Sequence, residues 1–193
     1  MAPPPAALGA LRNFSLKIAS LEQLTSEAIT HHSRHANLAA HQALSRFLGE
    51  LEFSHTSRAN ALREHAATLA AESALIPSAH RSDQLPFTPS VTLSTDVEEL
   101  VTVTYSNLNL LAACYTRLHT LAVAFEHDAT ALISLNHLKG ITPKIMECSQ
   151  AIPLLTAEIA RERFGHIFPG TADAALNATQ AAWKNETHFS DAN

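Results

Sequence analysis

A chain of 193 residues fits one domain, or one domain with a tail, and is long enough to bury a core without disulfides or metals. Charged residues make up only 16%, the net charge is −5 and no run of Lys and Arg occurs, which speaks against a nucleic-acid partner. The two cysteines, Cys114 and Cys148, form no CxxC or disulfide framework, and no stretch reaches the ~20 apolar residues of a membrane span. The cytoplasm or another reducing compartment is the resulting expectation.

Helix breakers are missing over long distances. Pro5 and Pro77 bracket 71 residues without proline, and Gly9 and Gly49 are the only glycines between them; Ser90 to Lys139 contains neither type. Proline costs ~3 kcal/mol and glycine about 1 kcal/mol inside a helix, so the pattern spells long helices. The expected fold is all-α: an elongated antiparallel helical bundle with coiled-coil-like seams and a proline-containing linker, its single domain covering residues 1–168 with a tail at 169–193.

Residues 1–20 hold Arg12 and Lys17 and no acid, a weak form of organelle-import composition. The simpler reading is a flexible proline-capped arm. Ser20-Leu-Glu-Gln23 has the spacing of a capping box, so the first long helix is placed at about 20–74. A polar stretch from Thr30 to Asn37 leaves open whether it is one helix or two. Leu44, Leu48, Leu51, His55, Arg58, Leu62, His65 and Leu69 step alternately by four and three, a heptad-like seam with polar interruptions. Residues 76–93, with Pro77, Pro86 and Pro89, form the linker.

Thr95-Asp-Val-Glu98 is a second capping box, opening a helix at about 95–138. Its seam runs through Leu108, Leu111, Tyr115, Leu118, Ala122, Phe125, Ala129, Leu132 and Asn136, with Gly140 as the expected stop. Shorter helices are expected over about 143–164, started by Pro143, interrupted by Pro153 and closed by Gly165, with Arg161 and Arg163 in the last turn. Thr171 to Lys184 reads as a short amphipathic helix carrying Trp183.

Twelve histidines are the unusual component. Glu52 and His55 share a helix face at i, i+3, the arrangement in which ferritin-like bundles offer metal ligands; Glu22 or Glu27 are candidate upstream carboxylates, but no second Glu-x-x-His exists. His31 and His35, one turn apart beside His32 and His41, have a zinc-compatible spacing without a third ligand. No nucleophile elbow, phosphate loop or dinucleotide motif occurs, so nucleophilic catalysis has no residues to stand on.

The main functional expectation is a non-catalytic helical interaction or scaffold subunit of a larger assembly, with other protein subunits or a second copy as partner and no cofactor. The leucine, Tyr115 and Phe125 positions of the two seams would be its core or interface. The alternative is a ferritin-like metal-binding bundle or oxidoreductase using di-iron, manganese or zinc. A peripheral membrane-surface protein is a third and less supported reading, since the basic face it needs is missing.

Overall fold

The computed structural model describes residues 4–35, 38, 41–73 and 96–185. They form α1 (Pro5–His35), α2 (Gln42–Ser73), α3 (Val97–Ala124), α4 (Asp128–Phe164) and α5 (Thr171–Asn185), with no strand among them. The linker at 76–93, Thr95 and residues 186–193 lie outside the described residues. None of the described helices is long and apolar enough to cross a membrane.

The N-terminal residues are a helix instead of an arm. Pro4 accepts from the amides of Ala7 and Leu8 at 2.8 and 3.2 Å, and Pro5 takes the first helical position, where its missing N–H is no loss. What makes the helix pay its entropy is a seam that the proline run conceals. Ala7, Leu8, Leu11, Phe14, Ser15, Ile18, Ala19, Leu21, Glu22, Thr25, Ala28, Ile29 and His32 are all buried, and they recur at helical spacing along one face. Ser20 therefore lies inside the helix, its hydroxyl donating back to Leu16 O at 3.0 Å.

The polar stretch ends α1 at His35, so the 20–74 region is two helices and no single rod. Ser26 bonds Glu52 O at 3.3 Å and Thr56 Oγ1 at 3.1 Å, while Glu22 meets His55 and Arg58, so α2 runs antiparallel to α1. In the same way His119 approaches Ala131 O, Tyr115 approaches His137, and Thr156 donates to Glu98, which makes α3 and α4 an antiparallel pair. The two pairs pack through α1 against α3, and α5 lies on α4. His65–Thr130 and Lys144–Glu50 contacts tie α2 to α4.

These contacts fix the connectivity. Glu72 at the end of α2 reaches His127 just past the end of α3, whereas His41 before α2 approaches Glu158 near the end of α4, where Glu98 also bonds Thr156. α2 and α3 thus run in the same direction. The end of α2 and the start of α3 therefore lie at opposite ends of the bundle, about one helix length apart, roughly 48 Å for 32 residues at 1.5 Å each.

The helix expected at 95–138 is interrupted. Glu126 N donates to Val123 O at 3.1 Å and His127 N to Ala122 O at 2.9 Å, the paired bonds of a Schellman C-terminus. The residue in the left-handed position is Glu126, at φ 54°, where a glycine would normally advertise the stop. This turn shifts the phase of the pattern. Leu108, Leu111, Tyr115, Leu118 and Ala122 are buried, but Ala129 and Asn136 are exposed and Leu132 is 61% exposed. The inward positions of α4 are instead Thr130, Ser134, Ile141, Ile145, Cys148 and Leu155.

Gly140 stops nothing. α4 continues through Gly140, Pro143 and Pro153 to its left-handed Gly165 cap at φ 74°, with Arg161 and Arg163 in its last turn as expected. Each proline deletes one helical hydrogen bond, yet Ile141, Ile145 and Cys148 bury around Pro143 and Leu155 follows Pro153, so packing overrides propensity. At the other end of α3, Asp96 is the cap, accepting from Glu98 N at 2.9 Å.

Because Glu126 is strained in the left-handed region and its side chain is exposed, Glu126→Gly should stabilise the protein by about 1 kcal/mol in urea unfolding. A loss of about 1 kcal/mol, the cost of glycine within a helix, would mean that α3 and α4 are continuous.

Candidate functional site

The first seam of α2 carries Leu48, Leu51, His55, Leu62 and Leu69 into the interior, with Leu44, Arg58 and His65 half-buried. A polar residue on that seam needs a partner at the same level. Glu22 of α1 provides it. Its carboxylate is fully buried and receives donors from two other helices: Tyr115 OH at 2.6 Å and Arg58 Nε at 2.7 Å on Oε1, His55 Nδ1 and, at 3.3 Å, Arg58 Nη2 on Oε2. Four donors saturate the two oxygens.

The hydrogens can be placed from valence alone. The phenol of Tyr115 spends its single hydrogen on Glu22, so His137 Nδ1, 3.1 Å from that oxygen, is an N–H that donates to it. The His137 ring also stands edge-on to the Tyr115 ring at 5.2 Å. His55 donates through Nδ1, and Arg58 Nη2 lies 2.9 Å from that nitrogen as both converge on Oε2. The other nitrogen of His55, Nε2, is buried with no hydrogen-bond partner.

Burial sets the electrostatics and the neighbours decide the signs. Burial alone would raise the Glu22 carboxyl, but the hydrogen bond and charge of His55, with those of Arg58, outweigh it and hold the group ionised below its ordinary range. Burial, then the Glu22 charge and hydrogen bond, push the Tyr115 phenol far up, so it remains a donor. Burial keeps His137 neutral down to about 4, Glu22 working against that shift and Arg58 with it. One level of the bundle therefore carries one carboxylate, one guanidinium, a phenol and two imidazoles, contributed by α1, α2, α3 and α4.

The sequence joins Glu22, as one of two candidate carboxylates, to His55 in a possible metal site, puts Arg58 and Tyr115 on the two seams, and gives His137 no role. The helical phase on α1, once extended to Pro5, is the signal that would have placed Glu22 inward. Glu52, expected to act with His55, is half-buried and contributes only its main-chain oxygen, to Ser26, among the hydrogen bonds between helices. Glu27 is exposed and receives Gln23 Nε2 at 3.0 Å on its own helix. His31 is exposed at the far end of α1 and His32 is buried, their rings 5.8 Å apart; the His35 side chain lies outside the described set.

Among the described residues no group of three or more His, Cys, Asp or Glu side chains has the geometry to hold a metal ion. The position a cation would take against Glu22 is filled by the Arg58 guanidinium, side-on and bidentate. Cys114 and Cys148 are buried, and burial raises both thiols, Cys148 to about 12, so neither is an activated nucleophile. No protein-family model, no curated protein and no solved structure matches this chain.

Two consequences are measurable. Arg58→Met strands the buried carboxylate and should cost about 3–5 kcal/mol in chemical denaturation, while adding Glu22→Gln should restore a substantial part of it. Equal losses in the single and double variants would reduce Arg58 to a packing role. The second concerns acid. Between 6.5, the ordinary value, and about 4, the unfolded chain takes up a proton that folded His137 refuses. Stability is thus full above 6.5 and falls as the pH drops towards 4. Glu22, shifted down, adds its own loss only below its ordinary 4.5. His137→Gln, which keeps a donor for Tyr115, should remove about 1.4 kcal/mol per pH unit from the upper part of this slope; an unchanged slope in urea unfolding would mean that His137 charges freely in the fold.

Proposed function

We propose that this chain is a non-catalytic helical interaction or scaffold subunit of a protein assembly. The observation that carries the reading is the closed state of the central polar level. Its one carboxylate is saturated by donors from the protein's own side chains, with Arg58 as the resident cation, and the phenol is held protonated. Such a network leaves the carboxylate and the phenol fully engaged at the bundle centre. Polar seam residues of this kind lower stability in exchange for a unique register, which suits a rod whose outer surface must be presented reproducibly.

The outer surface fits the same role. Phe53 on α2 is 76% exposed, Val123 on α3 is 58% exposed and Leu132 on α4 is 61% exposed. Large apolar side chains left on three different helices are candidate anchors for other subunits or a second copy.

One observation favours a second reading, a ferritin-like metal-binding bundle or oxidoreductase. Glu22, His55, Tyr115 and His137 come one from each of four helices in two antiparallel pairs joined by one long connection, the connectivity on which di-metal carboxylate sites are built. Arg58 and the lack of a second carboxylate at this level weigh against it.

A native mass spectrum of the protein purified without chelator, with sedimentation over a range of concentrations, separates the two. The expected result is the bare chain mass in multiples or with a bound polypeptide, and a shift to monomer in Phe53→Glu or Leu132→Glu without loss of helix. One or two transition-metal ions per chain would replace this reading with the metal-binding one. A metal-free monomer at every concentration, with no bound polypeptide, would overturn it.

A further inference from the structure

The turn between α3 and α4 is closed by a histidine. Nδ1 of His127 accepts from the backbone N–H of Thr130 at 3.2 Å, making it the side-chain cap of α4, and lies 2.8 Å from Thr130 Oγ1. A ring nitrogen accepts only with a free lone pair, so the single hydrogen of this imidazole is on Nε2, which donates to Glu72 Oε2 at 3.3 Å. Two lone pairs do not face each other at 2.8 Å, so the Thr130 hydroxyl hydrogen also points at Nδ1. The same oxygen then accepts from His65 Nε2 at 2.6 Å. The cap thus fastens three things at one end of the bundle: the first turn of α4, the Schellman turn at Glu126 and the last turns of α2.

Ser, Thr or Asn at this position would cap without titrating; histidine caps in one protonation state only. A proton on Nδ1 turns the acceptor into a donor: the Thr130 hydroxyl can rotate to accept from it, but the Thr130 N–H then faces a donor and loses its partner. It also sets a positive charge at the positive end of the helix.

We propose that His127 is a pH-operated cap, whose protonation detaches the start of α4 and opens this end of the bundle while the centre stays closed.

Charged and titratable groups face the ring from every neighbouring element. From α2, Glu72 continues to accept from Nε2–H, and Glu126 and Asp128 are the exposed acids on either side in the turn and at the start of α4. The remaining groups facing the cluster are His65 of α2 and His119 of α3, whose Nδ1 lies 3.0 Å from Ala131 O. His65 resists charging: burial first, then the nearby His127, depress its pKa, with Glu72 opposing. The rings of His65 and His127 are 6.0 Å apart, so a second proton on the cluster is disfavoured. Among the described residues no hydrogen bond joins this cluster to Glu22, whose donors are His55, Arg58 and Tyr115.

The test is amide hydrogen exchange by NMR at about pH 7.5 and about pH 5, each corrected for the intrinsic chemical rate, in the wild-type protein and in His127→Asn. Asparagine keeps a capping oxygen that does not titrate over this range. The expected result is that wild-type protection of the Thr130 amide falls roughly five- to thirty-fold more than that of Leu118, the size of a lost cap. In His127→Asn the two amides should change together. Any acid weakening from His137 is common to both proteins and cancels in the comparison. Nitrogen-15 shifts of the His127 ring give an independent reading: Nδ1 should be bare at the higher pH and protonated at the lower. Equal loss of Thr130 protection in both proteins, no loss in the wild type, or a protonated Nδ1 at the higher pH would each overturn the proposal.

Discussion

A carboxylate without water must be given its donors by the protein, and at Glu22 that requirement is met from two other helices at once. The side chain sits at the middle of α1, 0% exposed, and cannot keep its charge unless Arg58 and His55 of α2 and Tyr115 of α3 arrive at the same height. His137 of α4 then follows through Tyr115. A slip of one helix by a turn would leave a buried charge unpaired, at a cost of several kcal/mol. Leucine layers above and below are interchangeable with one another and supply most of the burial; this level is not interchangeable and so selects the register.

The connectivity follows from the same alignment. With α1 and α2 antiparallel, and α3 placed so that Tyr115 meets Glu22 while His65 and Glu72 meet the α3–α4 turn, α2 and α3 point the same way. The end of α2 and the start of α3 therefore lie at opposite ends of the bundle, which excludes a tight hairpin between them. Lys144, bonded to Glu50 and Glu147 and lying 5.0 Å from the centre of the Phe47 ring, pins α2 to α4 towards the opposite end.

The two polar clusters differ in kind. At the centre the Glu22 carboxylate and the Tyr115 hydroxyl are buried and fully engaged, with Arg58 and His137 half-buried beside them, so the network behaves as a fixed part of the core. At the turn, Glu72 is exposed, His65 is half-buried and His127 is buried, and the bonds join a helix end to a helix end. Helix termini are where local opening is least costly. One cluster therefore sets the architecture, and the other sits where a change of protonation acts locally.

The class of fold was legible in the residues alone, because excluding proline and glycine over long stretches leaves the backbone few alternatives. The α2 seam, the Gly165 stop and the α5 segment were legible for similarly local reasons. The Glu126 turn was hidden because a glutamate occupies a position where glycine usually signals the stop. Pro143 and Pro153 misled in the other direction, since the penalty they carry is intrinsic and the burial that overrides it belongs to the partner helices. The candidate site was half legible: Glu22, His55 and Arg58 could be named, but their meeting depends on α1 folding from Pro5 and lying antiparallel to α2. Tyr115 and His137 joined them through contacts 93 and 22 residues apart in the chain. Periodicity and propensity act over one or two turns, so the sequence by itself determined that this is a bundle of long helices; which polar groups share a level was decided only when four helices packed, because the desolvation that forces them together exists only in the packed core.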